Sequence, residues 1–293
     1  MKTELLVKRM WQVAVLLLVA LAAVAGGHAQ GMQAIRLYVL DGGVLESDPA
    51  RYRLTPQEVR STQLSVTAFL IVHPRGTLMW DTGAVPDDAW TPTGQPVSRR
   101  VILSDGRERP IAVTRPIIGQ LAAAGVQPSQ ITYLALSHAH WDHTANANAF
   151  ASATWLTRQV ERDEMLPSTP PEVPEPSTFA KLRTSRTIVV SGEYDVFGDG
   201  AVMLLPTPGH TRGHQALYVK LANTGGVVLS GDLYHYPEER TLNRLPTADA
   251  DVEQTRLSRE WLENFLMRSG ARLWIQHDMT AASGWKKSPA YYD

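Results

Sequence analysis

The stretch Ser137-His138-Ala139-His140-Trp141-Asp142-His143 decides the fold of this chain. It follows an apolar, β-leaning run, residues 131–136, and precedes a segment of small residues, 144–151. A polar stretch in this position is typical of a loop that joins a strand to a helix. The sequence therefore predicts that a strand end presents this cluster of histidine and aspartate side chains.

The spacing within this stretch indicates a metal site. Residues two apart in an extended segment point the same way, so we expect His138 and His140 to bind one cation. Asp142 and His143, one step further on, then face a second cation. The alternative is a polar loop with solvated histidines, but three imidazoles and a carboxylate within six residues favour a metal such as zinc.

The first 29 residues have the composition of a secretory signal peptide. Lys2, Lys8 and Arg9 precede an almost uncharged run, and Gly27-His28-Ala29 has the small-x-small pattern of a cleavage site. The apolar core is shorter than the roughly 20 residues of a membrane span, which argues against an uncleaved anchor. We predict a signal peptide at residues 1–29, a single α/β domain at residues 30–293, and a periplasmic or secreted protein without a membrane segment after cleavage.

Composition limits the possible chemistry and partners. The formal net charge is −1, and no basic patch indicates nucleic-acid binding. The absence of cysteine excludes disulfides, a thiol nucleophile and thiolate metal ligands, so nitrogen and oxygen atoms must bind any metal. We expect a small molecule as the substrate; the sequence does not indicate an oligomeric state.

Periodicity and turn residues predict an alternation of strands and helices. Asp41-Gly42-Gly43 is expected to be a turn after the first strand, and residues 84–112, with four prolines, an extended surface segment. Residues 167–177 are also proline-rich; they are expected to form a solvated linker or, alternatively, a loop over the mouth of the site. The predicted strands are 34–40, 64–72, 77–80, 131–136, 153–157, 187–190, 201–205, 216–221, 226–230 and 272–276, and the predicted helices are 113–126 and 254–268.

Four more polar side chains stand within five residues of the ends of predicted strands. They are Asp81, His210, Asp232 and His277. Side chains at strand ends form a rigid, preorganised site, and a carboxylate such as Asp232 can bridge two cations about 3.5 to 4 Å apart. We therefore predict two divalent metal ions, with Zn²⁺ expected from the ligand types, although iron, manganese or cobalt would accept the same ligands. Asp81 is a candidate for orienting a ligating imidazole, or a simple turn residue.

These motifs resemble the metallo-β-lactamase superfamily and, within it, the N-acyl homoserine lactonase branch. The resemblance rests on the His138 to His143 motif, the Pro208-Gly209-His210-Thr211 turn, Gly231-Asp232 and the final His277-Asp278. It implies an α/β (α+β) fold, a four-layer αββα sandwich with mixed sheets. It also implies that one metal is bound by His138, His140 and His210, and the other by Asp142, His143 and His277, with Asp232 bridging.

The chain departs from the lactonase pattern at two positions. Arg212 stands where that branch usually has proline, and His235 stands where it has a catalytic tyrosine, three residues after the bridging aspartate. Tyr234 and Tyr236 flank His235. Tyr234 or Tyr236 is expected to supply the phenol that polarises a lactone carbonyl, with Tyr234 taken as the catalytic candidate, while His235 is expected to support the metal ligands.

The resemblance implies a metal-dependent hydrolase that opens lactone rings, most specifically those of N-acyl homoserine lactones, in quorum quenching. A hydroxide that bridges the metals would attack the carbonyl, and Asp142 would orient it and pass a proton to the leaving oxygen. Alternatives are an exported phosphotriesterase resembling methyl parathion hydrolase, another ester or thioester hydrolase of this fold, and a metal-binding protein without turnover. The missing cysteine excludes the cysteine-using β-lactamases.

Overall fold

The computed structural model of the protein describes residues 34–103, 106–168 and 178–293. The predicted signal peptide lies outside these residues, as do residues 169–177 of the predicted proline-rich segment. Within the described ranges, no helix is both long enough and apolar enough to span a membrane. Ala34–Asp293 forms one unit, within which the two sheets described below contain all the predicted strands.

The larger sheet has strand order β4-β5-β1-β2-β3-β6-β7-β8, and β14 pairs with β1. Pairing is antiparallel from β4 to β3 and parallel from β3 to β8, so the sheet is mixed. Its strands are β1 (Arg36–Glu46), β2 (Gln63–His73), β3 (Gly76–Trp80), β4 (Val97–Ile102), β5 (Glu108–Val113), β6 (Tyr133–Ala135), β7 (Thr154–Thr157), β8 (Thr187–Val189) and β14 (Tyr291–Tyr292).

The smaller sheet has strand order β13-β12-β11-β10-β9. Among its described strands, β12 and β13 pair in parallel. A parallel connection needs a crossover of a dozen or more residues, and the long helix between these two strands supplies it. Its strands are β9 (Tyr194–Asp195), β10 (Val202–Pro206), β11 (Gln215–Leu221), β12 (Gly225–Leu229) and β13 (Arg272–Trp274).

Alternating side chains on the strands create two buried faces per sheet. On β1, Leu37 and Val39 pack against the smaller sheet, whereas Tyr38 and Leu40 pack against helices on the opposite face. Leu262 covers the outer face of the smaller sheet. The helices are α1 (Ile117–Ala123), α2 (Trp141–Thr144), α3 (Gln159–Met165), α4 (Pro237–Thr241), α5 (Val252–Ser269) and α6 (Met279–Gly284). This helix-sheet-sheet-helix order confirms the predicted four-layer sandwich.

Two local predictions were wrong. Asp41-Gly42-Gly43 lies inside β1, where the register with β2 shifts between Asp41 and Gly43. Gly43 has φ 118°, and a Cβ there would lie 2.7 Å from the carbonyl oxygen of Ala112, so the glycine serves a β-bulge and not a turn. Residues 84–112, expected to be extended surface, contain the β4–β5 hairpin.

The order of the strands brings distant polar residues to one end of the sandwich. Asp81 follows β3 and His138 follows β6 within a few residues; these two strands are parallel neighbours, so their carboxyl ends meet. His210, Asp232 and His277 follow β10, β12 and β13 of the facing sheet.

Candidate metal centre

All seven side chains predicted to bind metal converge at this end of the sandwich. They form two groups, and within each group the potential ligand atoms lie within 4.8 Å of one another. The first group is His138, His140, His210 and Asp232; the second is Asp142, His143 and His277.

Asp232 lies between the two groups and faces both of them. Its Oδ1 is 3.0 Å from the Nε2 atoms of both His143 and His277. Its Oδ2 is 3.3 Å from Nε2 of His210 and 3.5 Å from Nε2 of His138. Burial would raise the pKa of Asp232, but the surrounding imidazoles outweigh burial and hold this pKa well below its ordinary value. An ionised carboxylate in this position has the geometry of a bridging ligand.

Hydrogen bonds on the far side of three rings turn their Nε2 atoms inward. The Nδ1 atom of His143 donates to Asp81 at 2.8 Å, and that of His210 donates to Asp249 at 2.8 Å. The Nδ1 atom of His277 donates to the carbonyl oxygen of Ser65 at 2.7 Å. Such partners fix the tautomer and orientation of imidazoles that bind metals.

Several inward-facing atoms form no hydrogen bond within the described part of the chain, although Asp232 Oδ1 lies 3.0 Å from two of the nitrogens concerned. They are the Nε2 atoms of His138, His143 and His277 and the Oδ1 atom of Asp232, all of them buried. Buried polar atoms are normally paired, so a cluster of unpaired nitrogen and oxygen atoms needs an explanation. Burial also holds the pKa of His138 well below its ordinary value, which leaves its lone pair available. These residues fit divalent metal ions that prefer nitrogen and oxygen ligands.

Asp81 connects the metal-binding loop to the rest of the site. It accepts hydrogen bonds from the amide of Ser137 at 2.6 Å, the hydroxyl of Ser137 at 2.9 Å, and Nδ1 of His143 at 2.8 Å. The side chain of Gln276, next to His277, donates to it at 2.9 Å. The structure thus places Asp81 against a candidate ligand, as the sequence predicted. The contribution of Gln276 was missed, since a lone glutamine carries no metal-site signal.

We expect Asp81→Asn to weaken metal binding by about 10- to 100-fold without unfolding the protein. Asparagine preserves the size of the side chain and tolerates the positive φ of 55° found at this position. However, its amide nitrogen cannot accept the hydrogen bonds that Asp81 now receives. Calorimetric titration of the metal-free protein checks this expectation, with the exposed Asp163→Asn as control. Unchanged affinities for both metals would refute the orienting role.

His235 is buried beside the bridging carboxylate. Its Nε2 lies 3.0 Å from Oδ2 of Asp232, and its ring stacks on His277 with ring planes 6° apart. On the other side, the ring centroid of Tyr52 lies 4.4 Å away. The backbone amide of His235 donates to Glu239 at 2.7 Å, which anchors the segment. This placement agrees with the predicted supporting role.

For His235→Phe we expect a loss of about 10- to 100-fold in metal affinity or turnover. Phenylalanine keeps a planar ring between Tyr52 and His277 but removes the Nε2 contact with Asp232. The metal content after dialysis and the initial rates measured at saturating metal separate the two effects. Wild-type values for both would mean that the ring only fills space.

The structure places Tyr234 away from the metal centre, which contradicts its predicted catalytic role. Its hydroxyl donates to Glu263 at 3.1 Å, and the guanidinium of Arg259 lies 4.2 Å from its ring centroid. Burial raises the pKa of Tyr234 above its ordinary value. The reason is the extended backbone, in which successive side chains alternate. His235 faces Asp232, so Tyr234 must face helix α5.

The ligand groups open into a cavity of about 160 Å³. Asp142 lines it, with Oδ2 3.7 Å from Nε2 of His277. Tyr52 in one wall was missed, because its short helix carries no recognisable motif. The walls are formed by the end of β1 and the loop after it, the start of β2, the β4–β5 hairpin, the start of α2 and the loop before α5. Their residues include Leu45, Arg51, Tyr52, Leu64, Leu103, Arg107, Arg109, Trp141, Pro246 and Ala248.

Known proteins resemble the chain in both sequence and fold. It is 28% identical over 279 residues to the N-acyl homoserine lactonase AttM of Azorhizobium caulinodans, covering 89% of this chain and 100% of that one. A solved N-acyl homoserine lactone hydrolase, with N-hexanoyl-L-homoserine at its catalytic metal centre, superposes with a TM-score of 0.72 at 24% identity, over 89% and 100% of the chains. AidC, a dizinc quorum-quenching lactonase, superposes with a TM-score of 0.61 at 18% identity. The match covers 88% of this chain and 94% of that one.

The two solved structures share the fold, as the four-layer architecture already indicated. The sequence model of the metallo-beta-lactamase superfamily matches residues 61–272, which include six of the seven predicted ligands and most of the chain. The chain therefore belongs to the metallo-β-lactamase superfamily.

Proposed function

We propose that this hydrolase opens the ring of N-acyl homoserine lactones and uses two divalent metal ions, Zn²⁺ being the expected metal. The observation that carries the proposal is that one cavity exposes members of both ligand groups, so that a bound carbonyl would meet both. The relatives named N-acyl homoserine lactonase, which align over 89% of the chain, support the choice of substrate.

In this proposal His138, His140 and His210 bind the first ion, and Asp142, His143 and His277 bind the second. Asp232, whose two oxygens face one group each, would hold both ions. The distances from Asp232 to imidazoles of both groups support this division, as does the carboxylate's low pKa. Seven nitrogen and oxygen ligands suit two zinc ions, and zinc is redox-inactive.

When bound, two such cations supply a water molecule that ionises near neutral pH and a positive charge for the leaving oxygen. Asp142 faces the cavity, with its carboxylate close to both His143 and His277. There it can accept a proton from the attacking water and return it to the ring oxygen. A carbon–oxygen bond forms at the carbonyl, the ring carbon–oxygen bond breaks, and the product is an acyl homoserine with a free carboxylate and hydroxyl.

The cavity walls support an acylated substrate. Leu45, Leu64, Leu103 and Trp141 line the cavity together with polar residues that include three arginines. Apolar walls favour binding of an acyl chain through burial of its methylene groups, at roughly 0.8 kcal/mol for each buried group. The ring of Tyr52, packed on His235, closes one side.

The main rival is a phosphotriesterase, because the orientation of Tyr234 takes away the phenol that was assigned to the lactone carbonyl. Comparison of kcat/KM for an N-acyl homoserine lactone, an aryl phosphotriester and an aryl thioester on the metal-loaded full chain tests the proposal. We expect the lactone to have the highest value and Asp142→Asn to lower it. Faster phosphotriester cleavage would overturn the substrate assignment while leaving the metal centre intact.

We also propose export to the periplasm or medium. The basic start, uncharged run and small-x-small pattern of residues 1–29 support this location. Cell fractionation followed by N-terminal sequencing tests it. An exported chain that begins near Gln30 is expected; a full-length chain confined to the cytoplasm would contradict it.

A further inference from the structure

Glu161 on helix α3 is a buried carboxylate that the proposed chemistry does not use. Only 3% of the residue is exposed, and both of its carboxylate oxygens accept hydrogen bonds. Oε1 accepts a hydrogen bond from the amide of Ala139 at 2.7 Å. Oε2 accepts one from the hydroxyl of Thr211 at 2.8 Å and one from the amide of Gly213 at 2.9 Å.

These three partners lie in two loops that are far apart in the sequence. Ala139 stands between His138 and His140, whereas Thr211 and Gly213 follow His210. Glu161 therefore joins the two loops that supply the three histidines of the first ligand group. Asp142 and His143 of the second group lie further along the first loop, in helix α2, whereas the contact with Glu161 is made between His138 and His140. Within the described residues, the imidazoles of the second group are oriented by other residues, Asp81 for His143 and Ser65 for His277.

The contact requires both an acceptor and close packing. The two amides can only donate, and Thr211 donates its hydroxyl proton here, so a side chain with its own N–H groups cannot replace the carboxylate. Gly213 is the residue that allows the approach. A Cβ at this position would lie 2.5 Å from Cβ of Glu161 and 2.9 Å from its backbone nitrogen, closer than packed atoms tolerate.

We propose that Glu161 is a positioning residue that holds His138, His140 and His210 in register by linking their loops, and so sets the affinity of the first metal site selectively. This inference rests on the proposed assignment of ligands to metals. It does not depend on the substrate, because its test counts and titrates metal ions and never uses turnover.

The first test titrates the metal-free full chain with Zn²⁺ by calorimetry, comparing wild type with Glu161→Gln. We expect one of the two sites to weaken by about 10- to 100-fold and the other to keep its affinity. Glu164→Gln is the matched control, since Glu164 is exposed on the same helix and should leave both sites unchanged.

Double variants, in which Glu161→Gln is combined with the loss of one candidate ligand, identify which site is weakened. His140→Ala removes a ligand of the first group, and Glu161→Gln should then have no further effect on the remaining metal. In a His277→Ala background, which damages the second group, the same change should weaken the metal that is left. The reverse pattern would overturn the proposal.

A steric variant separates positioning from general stability. Gly213→Ala retains the carboxylate but forces the turn away from α3, so it should produce the same selective loss. Gly284→Ala is its control, because a Cβ there meets no atom within 4 Å among the described residues. Urea unfolding of each metal-free variant completes the test. Equal weakening of both sites in proportion to lost stability, or unchanged affinities in Glu161→Gln, would refute a positioning role.

Discussion

Asp232→Asn is expected to lower kcat/KM by more than about 1,000-fold, beyond the 10- to 100-fold typical of residues that only support a ligand. The two oxygens of Asp232 face Nε2 atoms of both ligand groups. An amide replaces one of these oxygens with an NH₂ group and removes the negative charge. The variant therefore loses the negative charge of the one candidate ligand whose two oxygens face imidazoles of both groups within the described structure.

Rates and metal content of Asp232→Asn must be measured on the same preparation. We expect fewer than two tightly bound metals per chain together with the loss of rate. Asp163→Asn, on the exposed side of α3, is the matched control and should behave as wild type. Near-normal turnover with two metals retained would show that Asp232 does not bridge.

Removal of the metals with a chelator is expected to abolish activity and to lower Tm by about 10 °C for each site. A ligand that binds only the folded state stabilises it by about 4 kcal/mol when its free concentration is 1,000 times Kd. In a domain of this size, each kcal/mol shifts Tm by roughly 2 to 4 °C. Differential scanning calorimetry of chelated and metal-restored protein measures the shift.

This stabilisation should also depend on pH. Burial would lower the pKa of His210, but hydrogen bonds to Asp232 and Asp249 outweigh burial and raise the pKa to about 9 in the metal-free protein. A proton must therefore leave His210 before a metal can bind, and metal affinity should rise with pH through that range.

For the chelator experiment, recovery of Tm and activity on adding metal is the control. A Tm that is unchanged by the chelator at every pH would contradict the metal centre.

The sequence predicted which side chains would converge because their signal is local. The His138 to His143 motif holds most of the predicted ligands within six residues, and Asp232 and His277 each stand three residues after the end of an apolar strand. A residue that follows a strand must lie at that edge of the sheet. Its position in the sequence therefore predicts its position in the fold. The strands themselves indicated only an α/β domain, and the four-layer architecture was implied by the family resemblance.

What the sequence did not reveal depends on contacts between distant segments. Glu161 lies 22 residues from Ala139 and 52 from Gly213, so that nothing in its own neighbourhood indicates its role. Tyr234 was assigned to the site by proximity to Asp232 along the chain, but alternation of the backbone turned it toward Glu263. The glycines of β1 resembled a turn because a β-bulge and a turn favour the same residue.

The most direct test of the central claim is a titration of the metal-free full chain with Zn²⁺, in which opening of an N-acyl homoserine lactone is followed after each addition. If a dinuclear centre performs the reaction, the rate should remain low while the first equivalent binds and reach its maximum at two metals per chain. Full activity at one equivalent would contradict the two-metal centre. A chain that holds two metals but leaves the lactone intact would contradict the proposed reaction.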